Sequence, residues 1–255
     1  SEKVLIVSED GLPDPRVEKE IYTLTKHGYR VFFAGRFTGF SGVFDEVLRR
    51  ELSVYSLPWT RSVNLLLPVH RELFRKKIER VVEEVKPDVI LAVNPVAYYF
   101  VKDSGYPAVL DYHELWSVML RGYLEVSGLV RRLYHARRRK VYTRLEKELI
   151  PGSVVVTVSE NIAKALTELY KPRRVFVVKN YPSTREFESV AFQKLDSSTR
   201  RFFFIGRDLV VYSGLKFRDL RPTLSVLDKL WREGFRFEVL VAGTSASTRS
   251  YINAL

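Results

Sequence analysis

Asp14-Pro15-Arg16-Val17 stands between an apolar run, Val4-Leu5-Ile6-Val7, and a segment of helical spacing that closes on Gly28. A strand that turns straight into a helix leaves backbone N–H groups unpaired at the mouth of an α/β sheet, where anionic and sugar ligands bind. Arg16, with Gly11 in the turn before it, is therefore a candidate cleft residue. A cation in the first helical turn opposes the macrodipole unless an anion occupies the cleft. The alternative is an exposed ion pair with Asp14 or Glu20, which contributes ~0–1 kcal/mol. His113 and Glu114 follow a second apolar run, Ala108-Val109-Leu110-Asp111, and fall at the edge of the same cleft. Ser159 and Glu160 follow a third run, Val154 to Val158, where Ser159 caps the next helix first and meets a ligand second. Asn180 follows a fourth run, Val175 to Val178, and reads as a hinge residue that also borders the ligand.

These residues need a scaffold that brings strand ends together. Asp14 caps a helix whose first position is Pro15, where a missing N–H is harmless. Val17, Ile21 and Leu24 form its buried stripe, and Lys26, His27 and Gly28 end it as the dipole and a left-handed cap prefer. Arg30 to Gly35 reads as a strand, and Leu52 to Leu57 as another, separated by a loop through Phe37, Gly39, Phe40 and Gly42. Leu73 to Val85 is helical in pattern and stops before Lys86-Pro87; Val89 to Val93 is a buried strand. The helix after Ser159 carries the stripe Ile162, Leu166 and Leu169. Strands alternating with helices at this spacing predict a doubly wound parallel sheet with right-handed crossovers.

Past Asn180-Tyr181-Pro182 a polar stretch reads as an interdomain connection, followed by a strand at Leu209 to Tyr212 and a turn at Ser213-Gly214. A helix with the stripe Leu220, Leu224, Leu227 and Trp231 and a strand at Phe237 to Val241 complete this unit. The expected organisation is residues 1–182, a linker over 183–207, and an incomplete second unit over 208–255, since one βαβ is too small to hide both sheet faces.

Composition narrows the class of protein. The 255 residues are 46% hydrophobic and 28% charged, enough to bury a substantial core. No run approaches the ~20 apolar residues that span a bilayer, and the first residues lack a charged segment followed by an apolar signal core, so secretion is not expected. With no Cys and four scattered His, disulfides and a Cys nucleophile are excluded, and no metal-ligand spacing is present. The expected location is cytoplasmic, with peripheral contact at the inner face of the membrane. That contact is expected from the net charge of +12, much of it in Arg131, Arg132, Arg137, Arg138, Arg139 and Lys140. These residues lie within Val130 to Leu149, interleaved with Leu133, Tyr134, Val141, Tyr142, Leu145 and Leu149. The segment reads as a basic helix with an apolar side, either a solvated face or a contact for anionic lipid. A second basic-apolar patch runs through Trp59, Val63, Leu65, Leu66, Leu67, Phe74, Arg75, Lys76 and Lys77. No recognisable nucleic-acid module accompanies the charge, so nucleic acid is not the expected partner.

Five segments in order carry a resemblance: Asp14-Pro15-Arg16-Val17 with Leu24 and Gly28, Asp111-Tyr112-His113-Glu114-Leu115-Trp116, Thr157-Val158-Ser159-Glu160, Lys179-Asn180-Tyr181-Pro182, and Tyr212-Ser213-Gly214. Together they resemble glycosyltransferase family 4 over nearly the whole chain. The resemblance implies an α/β, GT-B-like architecture: a Rossmann-like doubly wound parallel sheet on the acceptor side, then part of a second Rossmann-like unit on the donor side. It implies transfer of a sugar from a nucleotide-sugar, with retention at the anomeric carbon and without metal or other cofactor. The acceptor would be a glycan or a lipid-linked glycan, as in polysaccharide or glycolipid synthesis.

By the same resemblance, His113 is a catalytic candidate that hydrogen-bonds a sugar hydroxyl or developing charge, and Glu114 contacts the acceptor or orients His113. Gly214 would let the backbone approach the diphosphate, with Lys216, Arg218 and Arg221 nearby. Leu215 and Arg218 stand where relatives carry Arg and Lys, so Arg218 is the phosphate candidate. Relatives also hold the nucleotide ribose with one of a pair of glutamates at fixed spacing; here Glu233 and Glu238 have a different spacing. Two functional readings therefore stand together, a retaining glycosyltransferase and a non-catalytic glycan- or partner-binding subunit. An exposed sheet edge would also invite a homo-oligomer.

Overall fold

The computed structural model describes residues 1–57, 67–126, 129–187, 200–205 and 221–242. The chain divides into two compact units, one of Ser1–Met119 with Arg137–Val190 and the other of Leu120–Ala136 with Ala191–Leu255.

The first unit is built on seven strands: β1 (Lys3–Leu12), β2 (Arg30–Phe37), β3 (Ser53–Ser56), β4 (Val89–Val93), β5 (Ala108–Tyr112), β6 (Val154–Thr157) and β7 (Arg174–Val177). Every pairing is parallel and the order is β3-β2-β1-β4-β5-β6-β7. The chain winds outward from β1 to β3, then returns to place β4 against the other side of β1. That reversal opens a crevice at the carboxyl ends of β1 and β4. β1 is central and its residues Val4 to Val7 are fully buried, which is why it reads as a continuous apolar run rather than an alternating one.

Helix α1 (Pro15–Lys26) starts as the sequence predicts, with the Asp14 carboxylate accepting from the Arg16 and Val17 N–H groups at 2.9 and 3.3 Å. Val17 and Ile21 are fully buried and Leu24 is half-buried. Three further helices escape the sequence pattern. α2 (Asp45–Glu51) buries only Leu48, and the chain is pinned before it by Phe44, whose ring meets Tyr22 at 5.0 Å. α4 (Asn94–Val101) follows β4 without a linker and is buried almost all round, so it has no polar face to mark a period. α5 (Trp116–Val126) begins directly behind the His113-Glu114 motif. α3 (Pro68–Val85) and α7 (Glu160–Tyr170) match the expected helices, but Leu166 alone of the α7 stripe is fully buried and Leu169 is exposed. β7 is the sheet's edge strand, so little lies beyond it to cover the last turn of α7.

α6 (Leu129–Leu149) is the basic helix, and it contributes residues to both units. Its second half buries Val141, Tyr142, Leu145 and Leu149, whereas Leu129, Val130 and Leu133 at its start are exposed. Of the second basic-apolar patch, Trp59, Val63, Leu65 and Leu66 lie outside the described residues. Leu67 is exposed, while Phe74 is a core residue whose ring packs edge-on against Phe100 at 4.7 Å.

In the second unit, β8 (Arg200–Ile205) and β9 (Phe237–Ala242) pair in parallel, joined through α8 (Arg221–Arg232). β8 falls inside the stretch expected as linker. The Phe202-Phe203-Phe204 run supplies the β propensity that the flanking Ser, Thr and Arg obscure. The expected strand at Leu209 to Tyr212 lies outside the described residues. On α8, Leu227 is buried, Leu224 is half-buried and Trp231 is exposed. Trp231 instead meets Phe237 edge-on and receives the Arg236 guanidinium over its ring at 4.6 Å. Among the described residues no helix is long and apolar enough to cross a membrane.

Candidate active site at the carboxyl edge of the sheet

A bulge in β1 shapes the crevice. Ser8 pairs with Gly35 but Leu12 pairs with Phe37, so extra residues are accommodated between them, and a bulge re-aims the side chains it carries. Gly11 makes this turn possible, with φ at +83° and its N–H donated to the Ser8 hydroxyl at 3.1 Å. A Cβ at Gly11 would lie 2.2 Å from the Arg36 carbonyl oxygen. Gly11 is therefore held by packing against β2. The bulge presents Glu9 and Asp10 at the crevice, two residues that the sequence reading passed over.

Glu9 is buried and serves the scaffold. It accepts from the Val96 N–H at 3.1 Å, replacing the cap that α4 lacks at Val93, and from the Tyr142 hydroxyl of α6. Burial, reinforced by the neighbouring Asp10 carboxylate, pushes its carboxyl well above the usual range. Asp10 lies at the crevice mouth and accepts from the Asn94 side-chain amide at 2.9 Å. Its pKa is raised by the desolvating surroundings and by Asp14, and is opposed by Arg138, His113 and the Asn94 hydrogen bond. Asn94 is buried with φ at +72°, a left-handed conformation that residues other than glycine adopt where surrounding structure enforces it. Its carbonyl oxygen accepts from the Trp116 indole N–H at 3.3 Å. The Trp116 ring stacks on Tyr142 at 5.2 Å, and the Arg138 guanidinium lies over both rings at 5.2 and 5.7 Å. Arg138 is thus part of this polar corner and not of a solvated basic face.

His113 is oriented by Asp111, whose carboxylate accepts from Nε2, while Glu114 is exposed. In a neutral ring this leaves Nδ1 as the lone-pair nitrogen. Asp111 is fully buried and also accepts from Arg16 Nη2 at 2.9 Å. Arg16 is not an exposed surface residue: its side chain is 8% exposed, and Nε lies 3.1 Å from Glu20 Oε1. Its Nη1 is buried without a hydrogen-bond partner, as is Glu20 Oε2. Burial and the nearby Asp111 charge push the Glu20 carboxyl up to about 8. Arg16, Glu20 and Asp111 border a cavity of about 480 Å³ whose other walls include Tyr22, Leu91 and Val156.

Glu20, Asp111 and His113 offer ligand atoms that all lie within 4.8 Å of one another. The Arg16 guanidinium already lies against both carboxyl groups, so a cation there would meet its charge directly, and the trio is better described as a cluster held around Arg16 and Asp111.

Ser159 accepts from the Ile162 N–H at 3.3 Å and caps α7, with Glu160 exposed in the first turn. Asn180 accepts from the Lys19 ammonium at 2.7 Å, and the Tyr181 carbonyl accepts from it at 2.9 Å, tying the chain after β7 back to α1. Of the sequence candidates, the fold brings Arg16 and His113 together through Asp111, and Asn180, tethered to Lys19, lines the same cavity as Arg16, while Ser159 serves a helix cap. Gly214, Lys216 and Arg218 lie outside the described residues. Arg221 opens α8.

A family model described as Glycosyltransferase Family 4 matches residues 21–181. No curated protein matches the chain in sequence. Among solved structures, the chain is similar to the lipopolysaccharide outer core galactosyltransferase WaaB in its apo form, at 14% identity and a TM-score of 0.56, covering 97% of this chain and 62% of that one. It is similar also to sucrose-phosphate synthase from Thermosynechococcus elongatus (13%, 0.54, covering 96% and 71%) and to the glycotransferase of kitacinnamycin (15%, 0.51, covering 94% and 65%). The chain thus spans about two thirds of the length of these structures, which share the GT-B fold.

Proposed function

The chain belongs to glycosyltransferase family 4, and on that premise we propose that it serves transfer of a sugar from a nucleotide-sugar to a hydroxyl of a glycan or lipid-linked acceptor, with retention at the anomeric carbon. The reading rests on one observation above the others: Asp10, Asn94 and His113 meet at the crevice from β1, the start of α4 and the end of β5 in a chain of this family. Carboxylate, amide and imidazole together suit a polyhydroxyl ligand, because each can accept or donate to a hydroxyl in a fixed direction.

In the transfer, the bond from the anomeric carbon to the diphosphate oxygen breaks as the acceptor oxygen bonds to that carbon, and the acceptor hydroxyl passes its proton to the departing diphosphate. Asp10 is placed to hold that hydroxyl. His113, with Nε2–H fixed by Asp111, directs its other nitrogen at the sugar. By the family resemblance, Gly214, Lys216, Arg218 and Arg221 are the candidates to meet charge on the departing diphosphate, and the chemistry asks nothing of a metal.

The test is release of nucleoside diphosphate by the full chain from a panel of uridine and guanosine diphosphate sugars, with product anomers read by NMR. Turnover that falls about 10–100-fold in His113→Ala, the scale of one hydrogen bond to a charged group, supports the assignment. Glycan binding with no affinity for any nucleotide-sugar would replace it with the non-catalytic subunit.

A further inference from the structure

We propose that the first two turns of α6 form a docking surface for an anionic lipid bilayer. α6 begins Leu129-Val130-Arg131-Arg132-Leu133, and Leu129, Val130 and Leu133 are 77%, 80% and 60% exposed. At these exposures none of the three side chains belongs to the core of the described residues. Leu129, Leu133, Arg137, Lys140 and Arg144 recur at helical spacing, so the exposed apolar stripe runs on into a basic one. The opposite side of the same helix carries the buried Val141, Tyr142, Leu145 and Leu149. No Asp or Glu occurs between Leu129 and Leu145; Arg144 at the far end of the stripe pairs with Glu148 at 2.7 Å, so the positive field belongs to the cations from Arg131 to Lys140.

The charge alone would suit any polyanion, and the leucines decide between them. A phosphate backbone offers nothing to Leu129, Val130 and Leu133, whereas the headgroup region of a bilayer accepts apolar side chains beneath a layer of anionic phosphates. The combination asks for both at once, apolar insertion at the helix start and cations around it. Arg138 takes no part, because it is committed to Trp116 and Tyr142. Docking to lipid through these residues does not depend on the reaction proposed for the crevice.

The experiment is co-sedimentation of the full chain with phosphatidylcholine vesicles, with and without phosphatidylglycerol, over a range of salt. Binding is expected to require phosphatidylglycerol and to weaken as salt rises. Replacing Arg131 and Arg132 together by Gln is expected to weaken it about 25-fold, at roughly fivefold for each charge near the surface. The pair Leu129→Ser and Leu133→Ser is expected to weaken it on the order of tenfold or more, with the circular dichroism spectrum unchanged because both side chains are exposed. Equal sedimentation with both vesicle types overturns the proposal. So does full binding by the serine pair, or tighter binding to duplex DNA than to phosphatidylglycerol vesicles.

Discussion

Glu20 gives the sharpest handle on the charged cluster beneath the crevice. Its carboxyl is raised from 4.5 to about 8, chiefly by burial and then by the Asp111 charge, against the opposing pull of Arg16. Between those two values the folded chain holds a proton that the unfolded chain has released, so stability falls as pH rises through that window. At about 1.4 kcal/mol for each unit of pKa, the ceiling above pH 8 is about 5 kcal/mol. The Glu20 side chain is 20% exposed, and water reaching it reduces the expected effect to roughly half that ceiling. Glu20→Gln keeps the shape and the contact to Arg16 but cannot ionise. Urea denaturation at a series of pH values is the assay, read as the difference between wild type and variant. That subtraction removes Glu9 and Asp10, which shift in the same direction. The variant is expected to match the wild type near pH 4 and to exceed it by about 2–3 kcal/mol at pH 8. A difference that stays flat across this range, or that grows toward acid pH, refutes the account of Glu20 as a neutral acid under Arg16.

Two further substitutions probe what holds the crevice in place. Gly11→Ala combines a φ of +83° with a Cβ placed 2.2 Å from the Arg36 carbonyl oxygen; a loss of about 2–4 kcal/mol in urea denaturation is expected, and a neutral result would mean the bulge is not fixed by β2. Glu146 is fully buried and accepts from the Tyr112 hydroxyl, from the Ser117 N–H at 2.9 Å and from the Tyr170 hydroxyl at 2.7 Å. Glu146→Ala leaves two buried donors and the half-buried Tyr170 hydroxyl without a partner and is expected to lose about 3–5 kcal/mol, with Glu146→Gln recovering most of it by the same assay.

The sheet was legible because its central strands carry continuous apolar runs. Val4 to Val7 and Val89 to Val93 read as buried strands from their composition, and the Asp14-Pro15 start of α1 from its capping chemistry. α4 and α5 were not legible, since each follows a strand end so closely that no turn signal separates them, and α4 has no polar face. The site divides along the same line. Arg16 and His113 were visible because each follows an apolar run within a few residues. Asp111, which joins them, looked like the last residue of a strand. Asp10 and Asn94 carried a signal that went unused, a polar residue at the end of an apolar parallel strand. What no pattern could supply was their meeting, which depends on β4 returning to lie against β1. The end of α6 was misjudged for a similar reason, because the periodicity of a basic helix does not say which half lies against a core.

That return of β4 explains both the crevice and the cavity. Right-handed crossovers put the helices joining β1, β2 and β3 on one face of the sheet, and those joining β4 to β7 on the other. Burial follows this division. Ile90, Ala92, Leu110 and Val155 are fully buried on the face of α4, while Leu91, Val109, Val154 and Val156 on the alternate face are only partly buried. The 480 Å³ cavity lies on that second face beside α1. Arg16 and Glu20 stand where α1 meets both openings, which accounts for a guanidinium and a carboxyl that are buried yet incompletely hydrogen-bonded. In a core, such atoms would be destabilising by about 1–3 kcal/mol each. Under the proposed function they are the donors and acceptors a ligand would meet, and the raised pKa of Glu20 keeps its carboxyl able to donate as well as accept at neutral pH.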